Sequence, residues 1–121
     1  MNGSINSKRM ATIEEVKSGL EFLKGKAQGE KFREATEDFD RVVQYHFTDL
    51  GYKGYFSIRN GTIEGPTDGE KDDAEIKVDL TSDTFTGLMK KEIDPLSALI
   101  KGQIKIKASF WDLMKLKNLG G

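Results

Sequence analysis

The residues able to do acid–base, nucleophilic or metal chemistry are few in this chain, and they are scattered. His46 is the only histidine, and there is no cysteine. A nucleophilic site needs a base beside the nucleophile and a third group to orient that base. One histidine without cysteine also excludes a His- or Cys-based metal set. Strand parity groups His46 with Gln44 and Thr48 on a polar face, so it reads as a surface histidine. Asp68, Glu70, Asp72 and Asp73 offer oxygen ligands for a hard cation. Their order, Asp68-Gly-Glu-Lys-Asp-Asp, is not that of an EF-hand, and a solvated charged loop is favoured. Ser57, Ser97 and Ser109 sit in no Gly-x-Ser-x-Gly elbow. Gly51-Tyr-Lys-Gly54 is too short for a phosphate loop and lacks the closing Lys-Ser/Thr. Neighbouring carboxylates, Glu14-Glu15 and Asp72-Asp73, converge on no cleft. The expectation is no catalytic residue, no metal and no cofactor.

The C-terminal third is basic and apolar instead. Lys101, Lys105, Lys107, Lys115 and Lys117 are not interleaved with aromatics on one face, so no nucleic-acid partner is expected. They read as solvated lysines, with a weak attraction to anionic lipid or acyl carboxylates as the other reading. Phe110, Trp111, Leu113, Met114, Leu116 and Leu119 place six large apolar residues in about three helical turns. A surface helix shows a narrower stripe. The excess needs a deep core, a partner or an apolar ligand.

These residues must be positioned by the elements around them. Thr12-Ile-Glu-Glu15 is a capping box opening a helix. Ile13, Val16, Leu20, Leu23 and Ala27 form its apolar stripe. Gly19 weakens this helix, and Gly25 is placed to end it. A second short helical pattern carries Phe32, Ala35 and Phe39. Both are expected to pack on a sheet, with a partner-binding helix as the other reading. From Arg41 the period becomes two, with Val43, Tyr45 and Phe47 on one face and Val42, Gln44, His46 and Thr48 on the other. A second strand, Tyr52 to Arg59, carries Phe56 and Ile58 inward. Asn60-Gly61 predicts a type I′ hairpin turn. Thr62 to Gly65 is a short third strand, and Pro66 to Asp73 is a mobile charged loop. In the fourth strand Ala74, Ile76, Val78 and Leu80 face inward, and Glu75, Lys77 and Asp79 face water.

Thr81-Ser-Asp-Thr84 offers caps for a helix bearing Phe85, Leu88 and Met89. Asp94-Pro95 opens another with Leu96, Leu99 and Ile100, and Gly102 stops it. Gln103 to Lys107 alternates as a fifth strand, with Ile104 and Ile106 on one face. Ser109-Phe-Trp-Asp112 is a capping box with Asp in place of Glu, opening the last helix. The span between the fourth and fifth strands is long enough for a helical crossover, which permits a parallel pairing there. The expectation is an α/β (α+β) domain built on a mixed sheet.

At 121 residues the chain fits one domain, residues 11–121, after a polar leader or non-native remnant over residues 1–10. Its net charge of −1 gives no global pull toward nucleic acid or an anionic membrane. No run approaches a membrane span, and no signal-peptide core is visible. A cytoplasmic location fits.

Three runs, in order, resemble the sterol carrier protein type 2 family of lipid-binding domains. They are Asp94-Pro-Leu-Ser-Ala, Lys101-Gly-Gln-Ile-Lys-Ile and Met114-Lys-Leu-Lys-Asn-Leu. The resemblance extends back to about Phe39 and is looser before it. It implies five mainly antiparallel strands in the order 3-2-1-4-5, with helices covering one face. It also implies a tunnel between the sheet and the C-terminal helices for a fatty acid, fatty acyl-CoA or sterol. The corresponding residues are Phe85, Leu88, Met89, Leu99, Ile100, Phe110, Trp111, Leu113 and Met114. Met89 and Met114 among them suit a wall that adapts to different chains. The implied function is lipid binding or transfer without catalysis, with at most transient membrane contact. The alternative is an interaction or accessory module, on the same fold, for a lipid-metabolising enzyme. The ending Leu119-Gly-Gly differs from the peroxisomal Ser-Lys-Leu address of many eukaryotic relatives.

Overall fold

A computed structural model describes residues 11–120 of the chain, and the leader expected over residues 1–10 lies outside them. Two helices come first, α1 (Ile13–Lys26) and α2 (Glu30–Ala35). Strands β1 (Arg41–Phe47), β2 (Tyr52–Arg59), β3 (Thr62–Asp68) and β4 (Ile76–Leu80) follow. The chain then runs through α3 (Ser82–Met89), α4 (Pro95–Ile100), β5 (Ile104–Lys107) and α5 (Phe110–Gly120). The strands form one sheet in the order β3-β2-β1-β4-β5, as the resemblance implies.

Three pairings are antiparallel, and only β1–β4 is parallel. The parallel pairing therefore lies elsewhere than the crossover expected between β4 and β5. Two helices join those strands, and the second returns the chain so that β5 runs against β4. The Asn60-Gly61 turn is as predicted, with both residues at positive φ, 52° and 78°. Strand β3 runs three residues past its expected end. Pro66 is tolerated because β3 is an edge strand, and the register shifts between Tyr55 and Ser57 opposite it. The loop after β3 is tied down: Gly69 N donates to Lys53 O, and Lys71 N donates to Gln44 Oε1 at 2.6 Å. That contact buries Gln44, although it lies on the polar face.

The helices cover the face bearing Val43, Tyr45, Phe47, Phe56 and Ile58. One cluster joins Val16 and Leu20 of α1 to Tyr45, Phe47, Phe56, Leu80 and Phe85. A second joins Phe39, Ile58 and Ile76, with Ala108 and Leu116 against it. Ile63 and Val78 touch both. Phe39 belongs to the approach to β1 and not to α2, which ends at Ala35. In the first cluster the Tyr45 ring lies over Gly54, its partner on β2. A Cβ there would stand 2.6 Å from Tyr45 Cζ, so only glycine fits beneath the ring. Strand β4 begins at Ile76, so Ala74 and Glu75 precede it; Ile76 and Leu80 are buried and Asp79 is exposed, as expected, while Lys77 and Val78 are both half-buried.

Candidate functional site

The nine residues singled out lie on α3, α4 and α5, and the fold holds each helix differently. Helix α3 is anchored from the β1–β2 turn. Asp49 accepts hydrogen bonds from Ser82 N at 2.9 Å and Ser82 Oγ at 2.7 Å. The Thr81 side chain accepts from Thr84 N at 3.1 Å. These bonds satisfy orphan donors of the first turn and favour negative charge there. Phe85 is thereby driven into the first core cluster, edge-on to Phe47 at 5.2 Å. Leu88 and Met89 pack against the same cluster and remain half-buried.

Helix α4 is capped as its sequence predicts. Asp94 Oδ2 accepts from Ser97 N at 2.9 Å, with Pro95 in the first turn. Gly102 takes a φ of 78° and ends it. Only Ala98 of this helix is buried. In α5, Ser109 Oγ accepts from Asp112 N at 3.1 Å. The Asp112 carboxylate turns away from the cap to accept from Arg41 Nε at 2.9 Å. The helix therefore docks through Asp112 and Leu116, one turn apart. Lys115 lies with Arg41 over the Phe39 ring, at 5.9 Å and 4.8 Å from its centre.

The opposite side of α5 is left to solvent, as is most of α4. Ile100 is 78% exposed, Trp111 77%, Phe110 64%, Met114 41%, Leu99 41% and Leu113 36%. Leu96, on the same helix but not among the nine, is 61% exposed. The structure thus brings Phe85, Leu88 and Met89 together in the body of the domain. The other six stand on two helices that flank the edge strand β5. Periodicity finds such a face but does not tell whether anything covers it. An open cavity of about 480 Å³ lies elsewhere, between the α1–α2 turn and the β2–β3 turn. It is lined by Gln28, Glu30, Arg33 and Thr62 among others, and includes none of the nine.

Polar groups gather far along the sheet from β5. Tyr52 Oη donates to Asp68 at 2.6 Å, and Lys17 Nζ stands 2.9 Å from the same carboxylate. These bonds, the Tyr52 one foremost, hold Asp68 below the usual carboxylate range. Tyr45 Oη is buried and makes no hydrogen bond of good geometry among the described residues. Burial pushes its pKa up to about 12. Burial raises Tyr52 as well. His46 is on the outer face, with Nδ1 3.6 Å from Asp79 Oδ1. Among the described residues no cluster of His, Cys, Asp or Glu is arranged to hold a metal. No helix among them is long and apolar enough to cross a membrane.

The fold recurs in solved structures. The sterol carrier protein domain 2 of Helicoverpa armigera aligns with a TM-score of 0.66 at 18% identity, over 92% of this chain and 91% of that one. The ubiquinone synthesis protein UbiJ-SCP2 aligns at 0.59 and 11% identity, over 89% and 90%. The sec-alkyl sulfatase PisA1 aligns at 0.61 and 21% identity over 72% of this chain, which spans only 14% of that protein's length. At such identities the likeness is one of fold. No curated protein matches the chain in sequence. The family model described as "SCP-2 sterol transfer family" matches residues 20–120, from the middle of α1 to the end of α5. The chain belongs to the SCP-2 sterol transfer family.

Proposed function

We propose that this domain binds, and delivers, a single hydrophobic lipid: a fatty acid, a fatty acyl-CoA or a sterol. The lipid body would lie against Leu88 and Met89 of α3, Leu99 and Ile100 of α4, and Phe110, Trp111, Leu113 and Met114 of α5. Phe85 would close the floor. The observation that carries this reading is the exposure of six of these side chains on α4 and α5, Ile100 and Trp111 at 78% and 77%. Covering apolar surface is worth roughly 25 cal/mol per Å², or about 0.8 kcal/mol per CH₂. A sixteen-carbon chain thus offers at most roughly 13 kcal/mol before ordering costs, which leaves room for micromolar binding. Family membership supports a lipid as the ligand. The role needs no acid–base pair, nucleophile or cofactor, and we assign the domain no catalysis. The absence of cysteine fits a reducing compartment, the cytoplasm.

A second reading has the same face dock on a lipid-metabolising enzyme. It is supported by the recurrence of this fold as 14% of the much longer sec-alkyl sulfatase. Native mass spectrometry of the purified chain separates the two. A co-purified mass of one lipid supports the carrier. A lipid-free protein that also takes up no added fatty acid removes it and leaves the docking module.

A further inference from the structure

We infer that the free edge of β5 is a docking site for an extended peptide segment that alternates acidic and apolar side chains. Strand β5 is the last in the sheet, with β4 on one side and no strand on the other. The orientation of its backbone follows from that of its neighbour. Thr48 N donates to Leu80 O at 3.0 Å, so the peptide groups of Leu80 face β1 and not β5. Leu80 is opposite Ile104, and Val78, two residues earlier, is opposite Ile106. Neither pair shares hydrogen bonds, so the N–H and C=O groups of Ile104 and Ile106 point out from the sheet edge. Among the described residues no hydrogen bond reaches them from that side. Such a row of unpaired groups is a template for one more strand.

Charge selects the partner. On the outer face of the sheet β5 carries Lys105 and Lys107, both exposed. Lys107 is directly opposite Lys77 of β4, a like-charge pair that costs stability in a sheet. None of these three lysines joins an ion pair among the described residues. Asp79, opposite Lys105, lies toward His46 at 3.6 Å. Glu70, on the loop after β3, is already paired with Lys53 at 3.3 Å. An added strand must follow the alternation of β5. Its side chains opposite Lys105 and Lys107 share the outer face, where carboxylates would neutralise the lysines. Those opposite Ile104 and Ile106 share the helix-covered face and are apolar. Lys105 falls at a non-hydrogen-bonded position of the new ladder, where facing Cα atoms approach to about 4.5 Å. The same lysines exclude a second copy, because antiparallel pairing of β5 with itself sets lysine against lysine. This inference uses neither the exposed side chains of α4 and α5 nor a bound lipid.

The probe is a short, end-blocked peptide of alternating valine and glutamate, with a valine–lysine peptide as its counterpart. Each is titrated at neutral pH into the isotope-labelled full chain and followed by backbone amide resonances. The glutamate peptide should bind saturably, move the amide signals of Ile104 and Ile106 and slow their exchange with solvent. Added salt should weaken it. The lysine peptide should not bind. Lys105→Glu combined with Lys107→Glu changes two exposed side chains. It should weaken the glutamate peptide by about tenfold and let the lysine peptide bind. No saturable binding of the glutamate peptide to the wild type overturns the inference. So does equal binding of the two peptides. So does binding that leaves the Ile104 and Ile106 amides unmoved. So does a wild-type dimer in sedimentation with those two amides already protected, which would assign the edge to a second copy.

Discussion

Arg41 Nε lies 2.9 Å from Asp112 Oδ2, so the first residue of β1 holds the first turn of the last helix. The pair is unequal in burial: the Asp112 side chain is 5% exposed and that of Arg41 33%. This asymmetry fixes how the pair should respond to mutation. Arg41→Ala strands a carboxylate in a buried place and should cost roughly 2–3 kcal/mol of stability. Asp112→Ala leaves a guanidinium that can turn to water, and should cost less. Urea unfolding of both variants checks the order. Equal losses would show that Asp112 is not confined as described.

Glycines test the packing beneath the site. Gly25 lies inside α1, and a Cβ there would meet nothing within 4 Å. Gly25→Ala should stabilise by about 0.5–1 kcal/mol through helix propensity alone. Gly19 is in the same helix, but its Cβ would lie 2.6 Å from Phe85 Cε2 in the core. Gly54→Ala would collide with the Tyr45 ring. Both should destabilise, Gly54→Ala by about 1–3 kcal/mol. Thermal unfolding of the three variants distinguishes open space from filled core.

Tyr45 sets an alkaline limit. Its folded-state pKa, about 12, exceeds the value of about 10 for an unfolded tyrosine. Its neutral form is the one the core favours. Stability from this group is therefore complete below about pH 10 and is lost as pH rises toward about 12. Tyr45→Phe should reduce the alkaline loss, with Tyr52 supplying the rest. It should also raise stability at neutral pH by about 1 kcal/mol, because it removes a buried hydroxyl without a good bond. At the acid end the sign reverses. Asp68 is held low, so its contribution is present above the ordinary carboxylate pKa and lost as pH falls through the folded value. Unfolding curves across both ranges measure the two limbs.

Where local rules act alone, the sequence was a sufficient guide. The Thr12–Glu15 capping box, the Asp94 cap, the Asn60-Gly61 turn and the alternation of β4 follow from propensity, turn geometry and a half-buried face. Contacts between distant segments were not legible. Nothing near Asp112 in sequence points to Arg41, so a residue read as part of a cap proved to be an anchor. Gln44 read as a wet position and is buried by a loop whose course depends on β3 continuing through Pro66. Along α5 the apolar excess was visible, but its orientation was not. The Asp112–Leu116 side docks, and the Phe110–Leu113–Met114 side is left out. That orientation gives the candidate site its character, and it is set by the Arg41–Asp112 pair together with Leu116 against the second core cluster.

Whether the uncovered face takes a lipid is most directly measured by titrating the delipidated chain with a fluorescent sixteen-carbon fatty acid. The account expects saturable binding at one site in the micromolar range. Leu113→Asp should weaken it by about tenfold or more, equivalent to about 1.4 kcal/mol. Because Leu113 is only 36% exposed, the same change should also cost about 1–3 kcal/mol of stability, so binding is compared under conditions where both proteins are folded. Lys105→Ala, on the outer side of β5, should bind as the wild type does. Absence of saturable binding in the wild type, or equal binding by Leu113→Asp, would contradict the assignment of this face to a lipid.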